Sequence, residues 1–342
     1  MNNVGTRALL LLHCKEEIRN ALRLALDPKK PYAIFDFPNH SNVGDSAIWQ
    51  GEIKALDRYF NCSPILTFEL PQNSMPLPEL PVDTQIVLNG GGNIGDIWEN
   101  MQLFRERVIK NFPDNRIVQM PQSIFFRNEK KKDRCRQVFS AHKDFLLMVR
   151  DKTSFQIATT LHEGRTELVP DMALALGRIP RPCAPATPIL GLLRTDQEKT
   201  VADDAETLKK IKAVDWIEEP AIWEGTVLRR ITKFESILPF PRSLLDPLKT
   251  KLFNRISKIR VRRGCSLLSE GHVVITDRLH AHILCTLMEI PHVILDNSYG
   301  KLSSFRKAWR TGTPALCLEA STLKEAYQKA EFLLAQNSVH HL

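Results

Sequence analysis

Nothing in the 342-residue sequence is long and apolar enough to cross a bilayer. The most apolar stretches, Ala8–Leu12 and Ile283–Leu295, are too short or carry Glu289 and His292, whereas a span needs roughly 20 uninterrupted apolar residues. Leu9–Leu12 is also a poor export signal, because Lys15, Glu16 and Glu17 follow directly with no small-residue cleavage site. The seven cysteines are odd in number, scattered, and never spaced CxxC, so neither a disulfide framework nor a structural zinc site is indicated. These absences point to a reducing cytoplasm. There is no internal repeat and no low-complexity tract. Apolar residues at 43% and charged residues at 25% are ordinary globular usage and exclude a disordered or fibrous chain.

The net charge of +8 is concentrated rather than spread. Between Thr226 and Arg263 eleven basic residues face two acidic ones, Glu235 and Asp246, and the remainder is close to neutral. A surface for nucleic acid would distribute the excess more widely. Within this segment Leu245, Leu248, Leu252, Ile256 and Ile259 recur at helical spacing. Residues 243–263 therefore read either as a helix packed on its own domain or as one docked on an anionic membrane surface.

Short apolar runs alternate with longer amphipathic ones, the pattern of parallel-sheet α/β layers. Strands are expected near Tyr32–Phe37, Ile65–Phe68, Gln85–Asn89, Arg116–Met120, Phe145–Val149 and Glu167–Val169, with helices such as Ser46–Phe60, Ile97–Asn111 and Lys130–His142 between them. Four prolines within Arg178–Pro188 mark a linker, which divides the chain into a domain over 1–180, a linker at 181–188 and a domain over 189–321. The alternation resumes with strands near Ile189–Leu193, Val273–Thr276, Val293–Leu295 and Ala315–Cys317. The last helix, Thr322–Leu334, starts a segment 322–342 expected to pack back on the first domain. Two Rossmann-like doubly wound sheets facing a cleft are the economical architecture, with ligands at the carboxyl ends of the strands.

Four segments carry chemistry. Gly90–Gly95 matches GxGxxG after an apolar strand, but the next strand ends Gln119-Met120-Pro121-Gln122, without the carboxylate a dinucleotide ribose needs. It reads as a glycine-rich turn open to a ligand. Asn39–Ser46 lies between the first strand and a helix, where Asp45 or Ser46 would cap the helix, or Asp45 would accept a proton from a sugar hydroxyl. Val273–His282 runs from a strand into a helix whose first turn holds Arg278 and His280, a cation and a proton exchanger beside unpaired N–H groups. An arginine there suits bidentate binding of a carboxylate or phosphate. His282 falls on a different helix face, so no two-His metal site is indicated. Asp296–Ser303 offers Ser, Tyr, Gly and Lys as a phosphate cradle, and Arg150-Asp151 and Arg194-Thr195-Asp196 put further arginines just past strands.

Together these segments resemble the polysaccharide pyruvyl transferase family. The resemblance rests on Asn42–Ile48 (NVGDSAI), Leu88–Asp96 (LNGGGNIGD), Val149–Ser154 (VRDKTS), Val169–Ala173 (VPDMA), Thr276–His280 (TDRLH) and Asp296–Lys301 (DNSYGK). Ala281 stands where the family often has Gly. It implies a GT-B-like protein that moves pyruvate from phosphoenolpyruvate onto a sugar of a bacterial exopolysaccharide, or onto its lipid-linked precursor at the inner membrane face. No metal or further cofactor is implied. By this resemblance the first domain is the acceptor side and the second the donor side. His280 is then the general acid and Arg278 and Arg150 hold the donor, helped by Thr276, Leu279, Asn297, Ser298 and Lys301. Asn39, Asn42, Gly44, Asn89, Gly91 and Asn93 hold the acceptor, with Asp45 as its base. A nucleotide-sugar glycosyltransferase of the same architecture, or a non-catalytic sugar-binding or membrane scaffold, are the competing readings.

Overall fold

A computed structural model describes residues 3–70, 76–195, 204–237, 242–296, 301–313 and 316–339. The chain opens with α1 (Asn3–Ala25), β1 (Tyr32–Phe37), α2 (Val43–Phe60), β2 (Leu66–Glu69), β3 (Gln85–Leu88) and β4 (Gly91–Gly95). Next come α3 (Glu99–Asn111), β5 (Ile117–Phe125), α4 (Glu129–Ala141), β6 (Phe145–Val149), α5 (Lys152–Leu161) and β7 (Thr166–Leu168). A 3-10 turn at Met172–Leu176 leads to β8 (Thr187–Leu192), α6 (Ala205–Leu208), β9 (Lys212–Val214), α7 (Trp223–Ile237) and α8 (Arg242–Ser269). The remainder is β10 (Gly271–Thr276), α9 (Leu279–Met288), β11 (His292–Leu295), α10 (Lys301–Trp309), β12 (Cys317–Ala320) and α11 (Leu323–Val339).

Two parallel sheets result. The first runs β2-β1-β3-β5-β6-β7, with β4 paired to the far end of β5, and the second runs β12-β11-β10-β8-β9. Their central strands are buried on both faces, which is why they read as unbroken apolar runs. Alternate residues of β1 feed separate cores. Tyr32 and Ile34 join Trp49 of α2, whereas Ala33 and Phe35 join Phe104 of α3 and Phe139 of α4. Strand order reverses between β1 and β3 in one sheet and between β8 and β10 in the other. At such reversals the loops diverge and leave a crevice.

Three expectations change. Gly91–Gly95 is not a turn into a helix but strand β4, held parallel to β5 beyond the bulge at Gln119/Gln122. The C-terminal helix α11 lies on the second sheet rather than the first, because Leu323, Ala326, Ala330 and Leu333 form one core with Val273, Ile275, Val293 and Leu295. The segment between β9 and β10, assigned by sequence to the second domain, crosses back. Leu228 of α7 and Leu252, Phe253 and Ile256 of α8 enter the core of the first sheet, where Phe253 stacks on Phe37 with ring centroids 4.1 Å apart. Of the basic segment's apolar row, Leu252 and Ile256 are therefore packed inside the molecule, whereas Leu248 stays exposed. Arg260 is paired with Glu219 at 2.8 Å, while Lys251, Lys258 and Arg262 stay exposed. No helix of the described residues is long and apolar enough to cross a membrane.

Candidate active site

The carboxyl ends of the two sheets face each other across a cleft of about 450 Å³. Its cationic wall comes largely from the second sheet's reversal, with Arg194 after β8 and Arg278, Leu279 and His280 after β10. Arg150, at the end of β6, adds a further guanidinium. The opposite wall comes from the loop after β1 and the start of α2, with His40, Ser41, Asn42 and Asp45, and from Asn93 of β4.

Three of these groups, Arg150, His280 and Arg278, are held by carboxylates. Asp171 opens the 3-10 turn and takes both Arg150 Nη1 at 2.6 Å and His280 Nε2 at 3.3 Å, so one carboxylate joins a side chain from each sheet. Burial alone would push Asp171 up, but the charges of His280 and Arg150 and their hydrogen bonds hold it well below the usual carboxylate range. Arg150, only 1% exposed, also donates from Nε to Ser123 Oγ at 2.9 Å. Arg278 donates from Nη2 to Asp215 at 2.6 Å, and its guanidinium lies 5.9 Å from the centre of the Trp216 ring. Asp277, at the same strand end, is pushed by burial up to about 6 despite the backbone N–H of Arg194. The residue before α9, Arg278, offers no side-chain cap, so its position does not block the leading N–H groups of that helix.

Asn42, not Asp45 or Ser46, caps α2: its Oδ1 accepts from Gly44 N at 3.0 Å. Asp45 is thereby left at the cleft, accepting from Asn42 Nδ2 at 2.8 Å, with His40 Nε2 3.6 Å away. Next to the cleft, and sharing His40, Asp45, Asn93 and Met101 with it, lies a lobe of about 200 Å³ at the first sheet's reversal. Asp36, Asn39, Glu69 and Asn89 line it, and among the described residues no lysine or arginine does.

The structure thus brings Arg150, Arg278, Leu279, His280, Asn42, Asp45 and Asn93 to the cleft, and Asn39 and Asn89 to the lobe. Others have different places. Thr276 is fully buried, with its hydroxyl donating to Leu192 O and accepting from Arg278 N, so it shapes the turn instead of touching a ligand. Gly44 lines neither space but lies under His280, since a β-carbon there would come within 2.4 Å of His280 Nδ1. Gly91 is likewise behind the lining, with φ at +144° in β4. In the expected phosphate cradle, Asp296 accepts from Leu302 N and Ser303 N and so occupies the start of α10 with a carboxylate. Asn297 and Ser298 lie outside the described residues, as does the side chain of Lys301.

Asp171, Asp215, Trp216, Asp36 and Glu69 were not singled out from the sequence. Asp171 sits in the quoted VPDMA stretch, and Asp215 directly follows a short apolar strand, which was the available clue. His282 points into the second sheet's core. There it joins His292 and Cys317, a trio whose ligand atoms lie within 4.8 Å of one another. Their protons are already placed. Ile290 O can only accept, so His292 carries its proton on Nδ1 and accepts at Nε2 from His282 Nδ1 at 2.7 Å, and His282 Nε2 accepts from Thr311 at 2.8 Å. The network leaves no imidazole lone pair for a cation.

Residues 42–299 match the family described as polysaccharide pyruvyl transferase. The chain is 30% identical over 313 residues to the putative pyruvyl transferase EpsO of Bacillus subtilis, covering 89% of this chain and 94% of that protein. It is also 30% identical over 300 residues to pyruvyl transferase 1 of Schizosaccharomyces pombe, covering 83% and 70%. Among solved structures, an uncharacterized Klebsiella pneumoniae protein superposes with a TM-score of 0.60 at 15% identity, over 90% of this chain and 99% of that one, a likeness of fold alone.

Proposed function

The chain belongs to the polysaccharide pyruvyl transferase family, and on that premise we propose that it transfers pyruvate from phosphoenolpyruvate to a saccharide, closing a ketal across two hydroxyls and releasing phosphate. The observation that carries this reading is the charge segregation of the cleft. Arg150, Arg194, Arg278 and His280 form one end, and amides and carboxylates form the other. A small donor bearing a carboxylate and a phosphate fits the first, and neutral hydroxyls fit the second.

His280 as imidazolium, supported by Asp171, delivers a proton to the methylene carbon of the donor. The carbon bearing the carboxylate becomes electrophilic, and an acceptor hydroxyl adds to it as its O–H proton passes to Asp45. The bond from that carbon to the phosphate oxygen then breaks, and the second hydroxyl adds with loss of its own proton. Arg278 and Arg150 hold the donor's anionic groups throughout. The two facing sheets form the GT-B-like frame for this exchange. A lipid-linked acceptor at the cytoplasmic membrane face would meet Lys251, Lys258 and Arg262, which stay exposed on α8. Retention by anionic over neutral vesicles, abolished by salt, tests that placement.

Ligand-induced thermal stabilisation tests the core of the reading. Phosphoenolpyruvate at about 100 times its dissociation constant adds roughly 2.7 kcal/mol of stability if it binds only the folded state. Stabilisation by a nucleotide sugar and not by phosphoenolpyruvate would make the chain a glycosyltransferase instead.

A further inference from the structure

Ketal formation removes two hydroxyl protons from the acceptor, and Asp45 accounts for one. Resting on the proposed transfer, we infer that Asp36 is a second acceptor-side base, taking the proton of the hydroxyl that closes the ketal. Asp36 lies inside β1, yet its φ is 73°, a left-handed conformation that is rare in a strand. The pairing with β2 skips there, passing from Phe35↔Phe68 to Phe37↔Glu69. A bulge of this kind re-aims a side chain, and backbone strain of this sort persists where the surroundings enforce it. Asp36 lines the lobe together with Asn39, Asn89 and Glu69, at the reversal point of the first sheet.

Asp36 is 7% exposed, and among the described residues no hydrogen bond to its carboxylate is present. The nearby cation, Arg105 of α3, is committed elsewhere: Nε to Gln119, Nη1 to Gln102 and Nη2 to Asn93. The charged groups facing Asp36 are Arg105, His40, Asp45 and Glu52, with Glu69 across the lobe. Burial outweighs the pull of Arg105 and His40 and pushes its carboxyl up to about 6, a proton affinity suited to a base working near neutrality. In the step itself the acceptor O–H bond breaks, its proton goes to Asp36, the oxygen bonds to the ketal carbon, and the electron pair of the departing C–O bond leaves with phosphate.

Asp36→Asn keeps the shape and tolerates a positive φ. Ketal formation is measured with phosphoenolpyruvate and p-nitrophenyl hexosides bearing free 4- and 6-hydroxyls, and donor binding by thermal stabilisation. The variant is expected to keep phosphoenolpyruvate binding and to form ketal at least about 100-fold more slowly, with loss of the acidic limb of kcat/KM. Ketal formation within threefold of the parent, or an unchanged acidic limb, overturns the assignment while leaving the transfer itself standing. Should the variant fold poorly, a parent profile that is flat from pH 5 to 7 overturns it. Absence of phosphoenolpyruvate binding by the parent removes the proposed function, and this assignment with it.

Discussion

Replacing Gly44 by alanine separates the chemistry of the cleft from its stability. A methyl at residue 44 would sit 2.4 Å from His280 Nδ1, 2.7 Å from Cγ and 2.9 Å from Cβ. Ordinary contact is about 3.5–4.0 Å, so the ring must retreat by about 1 Å. It cannot pivot about a fixed Cβ, because Cβ itself is among the atoms struck. The retreat breaks the 3.3 Å contact to Asp171 and the 3.4 Å approach of Arg150. A misplacement of about 1 Å at a reacting group is worth about 100-fold in rate. The fold should survive. Alanine gains up to about 1 kcal/mol over glycine in a helix, which offsets part of an overpacking cost of about 1–3 kcal/mol. The net loss of at most about 3 kcal/mol is small against a typical stability of about 5–15 kcal/mol. The expected result is a normal melt and retained binding of phosphoenolpyruvate, with kcat for pyruvate transfer reduced about 100-fold. A kcat within threefold of the parent would refute the argument, since His280 would then tolerate the displacement.

Arg278→Ala should abolish the stabilisation by phosphoenolpyruvate, and a retained shift would place the donor elsewhere. Asp171→Asn should lower kcat at least about 100-fold, because it releases both Arg150 and His280. It should also flatten the acid limb of stability: a depressed carboxylate contributes stability above its unfolded value near 4 that is lost as pH falls, so the parent should lose more than the variant below about pH 4 in urea titrations. His282 is held far below its ordinary value by burial, so the unfolded chain takes up its proton first as pH drops below about 6.5. Going from neutrality to pH 5 should therefore lower stability through this group. His282→Gln should lessen that slope, and an unchanged slope would count against a neutral buried pair.

Much of this architecture was legible because doubly buried parallel strands leave unmistakable apolar runs. Tyr32–Phe37 and Phe145–Val149 are read to the residue, and Arg278 and His280 announce themselves as a cation and an imidazole at a helix start. What escaped depends on distant partners. Strand β4 is glycine-rich and exists only because β5 continues past Pro121 to pair with it. The fate of α8 was undecidable locally, since Leu252 and Ile256 suit a membrane as well as they suit Phe37 and Trp49. Asp36 sits in a strand whose alternation gives no sign of a bulge. Asp171 and Asp215 matter through the arginines and the histidine that they hold, at sequence distances no pattern spans.

Asp171 has a consequence for timing. Its carboxylate, reached from the first sheet, holds an imidazole that belongs to the second, and Trp309 of α10 donates to Arg150 O at 2.7 Å across the same boundary. The side chains proposed as acid and anion clamp, His280 and Arg150, therefore share one fastening. Any parting of the two halves by more than a hydrogen-bond length leaves His280 without its counter-charge and Arg150 without its Trp309 contact at once. Under the proposed transfer, a half-open cleft would leave the enol donor without its proton source.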